Sequence, residues 1–360
     1  MADATVYFAT NRKPNDPANP TDFDGGDAAP TPGDPLRFGR ADFPGVDLTP
    51  EPDDDTDKVL DALGAQARLT ISPIVVGPQS GGGDPAAEVG AFAAIDRTVA
   101  GTRQDALFYI HGYDYTFRQS LARAAQLQNW YGQGPYGAPL LVFLFAWPSL
   151  GQEISPETYE QERNRARLSG DAMGRAMQKA TGYARAIGAA QKTQQNIHML
   201  AHSMGNWALR WAVQSLHAGG GDLPSMFDQV LLLAADEDDD ALSQGVKLQP
   251  ILSACNRVTV YCNYYDVPLA FSHNVMGNPS RLGAGGPANP QSVPAKVATA
   301  STASVIDPRS DGEQHQYFRD NIFVRRDLLQ VMGGVADPSV VGRGHVLYNG
   351  QYVLTQAPGA

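Results

Sequence analysis

The sequence predicts an α/β fold, with a mainly parallel central sheet covered by helices on both faces, and three observations lead there. Beyond residue 105, short apolar segments alternate with stretches whose apolar residues recur at helical spacing, the order that builds parallel strands joined by crossover helices. The run LLVFLFAW at 140 to 147 is apolar almost throughout, as a strand covered on both sides must be. The segment QNIHMLAHSMG at 195 to 205 passes from a short apolar run into the helical pattern NWALRWAVQSLH, so a sharp strand-to-helix corner lifts Ser203 out of both elements.

Taken in order, residues 1–12 hold the first strand, VYFAT. Residues 13–67 are rich in proline, aspartate and glycine and read as an acidic surface excursion. The core is expected over 68–335. It starts with a strand in RLTISPIVVG at 68–77, followed by a loop, SGGGDPAAE, at 80–88. DALFYIHG at 105–112 is a strand, SLARAAQLQNWYG a helix, 140–147 a strand, and 155–187 a helix bent at Gly170. Its stripe of Ala172, Met173, Ala176, Met177, Ala180 and Ala184 is a core face. NIHMLA, QVLLLAA at 229–235, RVTVYCN at 257–263 and ASVID at 303–307 are further strands, and FVRRDLLQVM at 323–332 is a closing helix. Residues 274–302, full of glycine, proline, alanine and serine, form a long loop or cover, and 336–360 a C-terminal extension with the look of a hairpin.

Composition narrows the function. A chain of 360 residues can bury a sizeable core, and its net charge of -11 disfavours nonspecific attraction to nucleic acid or anionic membranes. Cys255 and Cys262 flank one strand and read as buried, unbridged thiols. The N-terminus has no basic-then-apolar signal segment, and no run approaches the roughly 18 apolar residues that span a bilayer. A soluble cytoplasmic protein, without nucleic-acid partner or integral membrane association, is the expectation. No metal is assigned, because Asp236 to Asp240 lack the glycine and terminal glutamate of a calcium loop; Asp238, Asp239 and Asp240 read as a solvated charged loop. SGGGDPAAE lacks the ordered glycine fingerprint of a dinucleotide site, and no cofactor is expected.

A serine hydroxyl becomes a useful nucleophile only when a base takes its proton and a third group fixes the base. His202, next to Ser203 on a tight corner, points elsewhere and reads as packing. His198 in a strand and His217 near a helix end are structural, and His273 follows a candidate acid too closely. His315, in the polar loop DGEQHQYFRDN, can reach back over the sheet and is the preferred base, with His345 in reserve. The acid is Asp266, in NYYDVPL after one strand, or Asp236, after QVLLLAA. Acyl transfer also needs amides for an oxyanion. Met204 supplies one; Tyr113 supplies the other from the turn HGYD, where Gly112 permits the bend and His111 buttresses it. Trp147, Tyr264 and Tyr265 are candidates for lining the pocket.

These segments together resemble the bacterial α/β-hydrolase family DUF900, whose members are described as esterases or lipases. The resemblance is carried by YFATNR at 7–12, FYIHGYDYTF at 108–117, FAWPSLG at 145–151, HMLAHSMGN at 198–206, LLAADEDDD at 232–240, YYDVPLAFS at 264–272 and HQYF at 315–318. It implies an α/β-hydrolase fold and the order Ser203, a carboxylate, His315. Both Asp236 and Asp266 lie in matching segments, so it does not choose between them. Ala201 stands where the usual elbow has glycine, and its methyl is small enough for the close strand-to-helix approach. The expected activity is cleavage of a small-molecule carboxylic ester. Thioester or amide cleavage would use the same residues, and a noncatalytic scaffold on this fold is the nonenzymatic alternative. A serine at the elbow argues against epoxide hydrolases and haloalkane dehalogenases, which place aspartate there.

Overall fold

The computed structural model describes residues 3–23, 29–31, 33–49, 56–76, 105–132, 140–191, 196–218, 223–243, 245, 247–309, 312–347 and 349–356. The loop expected at 80–88 lies outside them. Among the described residues the strands are β1 (Ala4–Thr10), β2 (Leu36–Phe43), β3 (Arg68–Val76), β4 (Asp105–Ile110), β5 (Leu140–Ala146), β6 (Ile197–His202), β7 (Phe227–Leu233), β8 (Cys255–Cys262), β9 (Val297–Ser301), β10 (Arg343–Val346) and β11 (Tyr352–Leu354). They form one sheet in the order β10-β11-β9-β8-β7-β6-β4-β5-β1-β2-β3. From β1 through β5, β4, β6, β7 and β8 to β9, every neighbouring pair is parallel. Antiparallel pairs close both edges, β1 with β2 and β2 with β3 at one, β10 with β11 at the other.

The helices are α1 (Thr56–Gly64), α2 (Phe117–Tyr131), α3 (Pro156–Leu168), α4 (Gly170–Gln191), α5 (Met204–His217), α6 (Val267–Asn274), α7 (Leu282–Gly285), α8 (Tyr317–Asp320) and α9 (Ile322–Met332). Successive strand side chains point to opposite faces, so each central strand feeds two cores. Phe108, Ile110, Met199, Ala201, Val230 and Leu232 pack with Met173, Met177, Leu209 and Ala212 of α4 and α5. Leu107, Tyr109, Leu200, Leu231 and Leu233 pack with Leu121, Ala125, Val324 and Leu328 of α2 and α9. Helices thus cover both faces, which is why β5 is apolar at every position.

Several expectations are corrected. The single bent helix at 155–187 is two helices that meet at Ser169 and Gly170. Ala172, Met173, Ala176, Met177 and Ala180 are buried, as their spacing predicts, while the side chain of Ala184 lies outside the described set. Within the stretch read as a surface excursion, LRFGRADF is β2 and TDKVLDALG is α1. Leu36, Phe38, Ala41 and Phe43 are buried. Their pattern is hidden by the surrounding proline and aspartate. ASVID is not a strand; its place beside β8 is taken by VATAS, inside the stretch read as loop or cover, whose small residues carry little strand signal. Arg343–Val346 and Tyr352–Leu354 pair as a hairpin in the C-terminal extension. Cys255 and Cys262 are free and buried. No helix among the described residues is long and apolar enough to cross a membrane.

Candidate active site

Ser203 sits between β6 and α5 with φ 53° and ψ -128°, a conformation that costs a non-glycine residue about 1–3 kcal/mol and persists only where its surroundings enforce it. Here the enforcement is visible. The Ser203 amide donates to the Leu233 carbonyl (3.0 Å), and the amides of Asn206 and Asp236 donate to the Ser203 carbonyl (3.0 and 3.2 Å). The Asn206 side chain donates to the carbonyls of Ala201 and Ser203, both at 3.1 Å. Asn206 was missed from sequence, although it stands three residues after the serine, where a side-chain amide can reach back across the first helical turn. Gly205 is required by packing: a Cβ there would lie 2.5 Å from the His111 carbonyl oxygen. Ala201 is fully buried, on the face of β6 that packs into the core with α4 and α5.

The turn after β4 presses against this corner. A Cβ on Gly112 would meet Ser203 Cβ at 2.9 Å and His202 Nδ1 at 3.0 Å, so only glycine lets the turn approach Ser203 this closely. His111 is buried and stacks on Trp147 (centroids 5.1 Å apart, planes 10° apart), whose indole N–H donates to the His111 carbonyl at 2.8 Å. Burial and, secondly, Arg12 push the His111 pKa down to about 3, so it is a neutral buttress. Trp147 is fully buried beneath the turn, which corrects the pocket role expected for it. The Tyr113 hydroxyl bonds to the Glu153 carbonyl (3.1 Å) and to Thr158 Oγ1 (2.9 Å).

The candidate base and acid come from segments that follow β9 and β8. His315 Nδ1 and Asp266 Oδ2 are 2.7 Å apart, with both residues buried. A carboxylate only accepts, so Nδ1 carries the proton and a neutral His315 keeps its lone pair on Nε2. The other oxygen of Asp266, Oδ1, caps α6 by accepting from the Leu269 amide at 2.9 Å. One carboxylate thus positions the imidazole and starts a helix.

Asp236 is engaged elsewhere. Its oxygens accept from Tyr159 and Ser272, each at 2.7 Å, and Arg281 Nη1 lies at 3.4 Å. Of the acidic run read as a solvated loop, Asp240 is exposed and Asp239 half-buried, but Asp238 is not solvated. Glu237 is fully buried, Asp238 nearly so, and Arg210, Arg281 and Lys247 bind them. Those cations lie 27 to 43 residues from their partners for the Arg210 and Arg281 bonds, so a local reading could not find them. His345, the reserve base, lies in β10 and its side chain is outside the described set.

A cavity of about 620 Å³ gathers Ser203, Met204, Tyr113, His202, Asp236 and His315 on its walls. Tyr264 and Tyr265 are not among its lining residues; they are 80% and 61% exposed, a correction to their expected role, because the turn before α6 faces solvent. Asp57, Asp114, Glu153 and Glu313 also line it, with Arg319 as the cation among the lining residues. Asp114 has φ 62°, and burial together with Asp57, Glu153 and Glu313 pushes its pKa up to about 7 from 3.8. With the folded pKa above the unfolded one, its stabilising contribution is complete below about 4 and is lost as the pH rises through about 7. An asparagine in its place would stay neutral and tolerate positive φ. Asp114→Asn should therefore raise the melting temperature more at pH 8 than at pH 4. A gap independent of pH in thermal melts would refute the assignment.

A mostly parallel sheet, helices on both faces and a strained serine at the strand-to-helix corner define an α/β-hydrolase-like fold. The chain belongs to the family of α/β hydrolases of unknown function, DUF900, whose model matches residues 92–330. No curated protein and no solved structure matches it.

Proposed function

We propose that the protein is a serine hydrolase that cleaves a carboxylic ester through an acyl-enzyme intermediate. The observation that carries the reading is one cavity receiving both Ser203, on its elbow, and His315, whose Nδ1 is held by Asp266. His315 Nε2 takes the Ser203 proton as Oγ attacks the carbonyl carbon, and Asp266 stabilises the imidazolium that forms. The amides of Met204 and Tyr113 meet the oxyanion, His315 returns the proton to the leaving alcohol, and water activated by the same base releases the acid. Thioesters and amides fit the same steps. The cavity volume suits a small-molecule substrate, and its acidic lining disfavours substrates that carry negative charge near the reacting carbonyl.

A fluorophosphonate probe tests the chemistry directly. Labelling should map to Ser203, disappear in Ser203→Ala and fall by about a hundredfold or more in His315→Ala. A folded wild-type protein that stays unlabelled would sink the reading and favour a scaffold on this fold. Rates on a panel of short esters, long esters, thioesters and amides would then rank the substrate classes.

A further inference from the structure

His202 is buried beside Ser203 and makes contacts that mere packing does not require. Its Nε2 lies 3.2 Å from the carbonyl oxygen of His315. A carbonyl only accepts, so Nε2 bears the proton and Nδ1 a lone pair. The His202 ring lies 4.8 Å from the His315 ring and 4.6 Å from Phe318, centroid to centroid. Three consecutive carbonyls anchor the loop that carries His315. That of Glu313 accepts from the Val267 amide (3.0 Å), that of Gln314 from the Asn263 side chain (2.9 Å), and that of His315 from His202. The first donor, Val267, opens α6 and the second, Asn263, lies just after β8; His202 is the anchor from the Ser203 side. On its opposite edge, Nδ1 has no hydrogen-bond partner among the described residues and sits against Gly112, 3.0 Å from where a Cβ would be.

We propose that His202 is a positioning residue for the reaction of Ser203: one neutral imidazole, with Nε2–H toward the His315 carbonyl and Nδ1 against Gly112, fixes the base-bearing loop relative to the oxyanion turn. The inference rests on the serine hydrolase reading. It gives the histidine before the serine a task that packing alone would not: its ring spans the gap between the two machinery segments that must close on the same reacting carbonyl. Burial, then the neighbouring His315, Arg123 and Arg319, disfavour a charge on His202. The tautomer is therefore retained while His315 gains and loses its proton.

The test compares fluorophosphonate labelling of Ser203 in the full-length wild type, His202→Phe and His202→Gln, with melting temperatures measured alongside. Phenylalanine keeps the ring contacts and removes both nitrogens; glutamine restores an N–H donor near the Nε2 position. Labelling should slow about tenfold or more in His202→Phe, since small misplacements of reacting groups cost up to about a hundredfold. It should largely recover in His202→Gln. Equal rates in wild type and His202→Phe, or an equal loss in both variants, would overturn the proposal. Nitrogen-15 NMR of wild-type His202 should find the Nε2–H tautomer unchanged across the range where an ordinary histidine titrates, about pH 6 to 8, because burial lowers its pKa. An Nδ1–H tautomer, or titration within that range, would overturn it even if a variant failed to fold. Absence of labelling in the wild type would remove the serine hydrolase reading, and this inference with it.

Discussion

Asp266→Asn should lower kcat/KM for a short ester by about three to four orders of magnitude while leaving the protein folded. The size follows from the tautomer. A carboxylate at Oδ2 accepts from His315 Nδ1–H at 2.7 Å, which puts the lone pair of a neutral imidazole on Nε2, the nitrogen that acts as base in the proposed reaction. An amide can instead present its NH₂ to Nδ1, moving the proton to Nε2 and aiming the wrong tautomer at Ser203; in a serine protease the same replacement costs about ten thousandfold. Asparagine is the informative choice because its side-chain oxygen can still cap α6 through Leu269, which alanine cannot. Alanine would add about 1 kcal/mol of lost capping and confuse the two effects. Kinetics with the folded fraction checked by circular dichroism decide the matter, and a loss smaller than about tenfold would remove Asp266 from the proposed role.

Asp236→Ala should act chiefly on stability. Its carboxylate receives Tyr159 and Ser272 and faces the wholly buried Arg281. Removing one partner of a buried charge network leaves the other desolvated and uncompensated, at about 3–5 kcal/mol. The lower end is expected, because Asp238 still binds Arg281. Urea unfolding should show the loss as a lower midpoint with an unchanged slope. Under conditions where the variant is folded, Ser203 labelling should stay within about tenfold of wild type. A collapse of labelling to the level of Asp266→Asn, without loss of stability, would move the acid assignment to Asp236.

The parts of the fold that announced themselves were those whose burial is local in sequence. LLVFLFA, DALFYI and IHMLAH read as strands because both faces are covered and nearly every side chain must be apolar. β2 and β9 were illegible for opposite reasons: one is embedded in proline and aspartate, the other is built of residues too small to advertise burial. The site divides the same way. Ser203, Gly112 and Gly205 are readable because a strand, a corner and a helix follow one another in the chain. The charge network is not, since Arg210 and Arg281 reach Glu237 and Asp238 only through the fold, and a run of adjacent acids with no nearby base looks solvated. Tyr159, Ser272 and Asn278, which surround the Asp236 carboxylate and its partners, carry no local signal at all.

The double use of Asp266 bears on how a descendant without activity would be recognised. Because the same carboxylate starts α6 and holds His315, selection for folding alone would tend to keep it, so an aspartate there says little about chemistry. Ser203 is the opposite case. Its side chain caps nothing, and its backbone conformation would suit glycine better. If the proposed hydrolysis ceased to matter, that hydroxyl would be the first member of the set to drift away, which makes the serine, far more than the proposed acid, the residue that would distinguish a working member of this fold from an inherited shell.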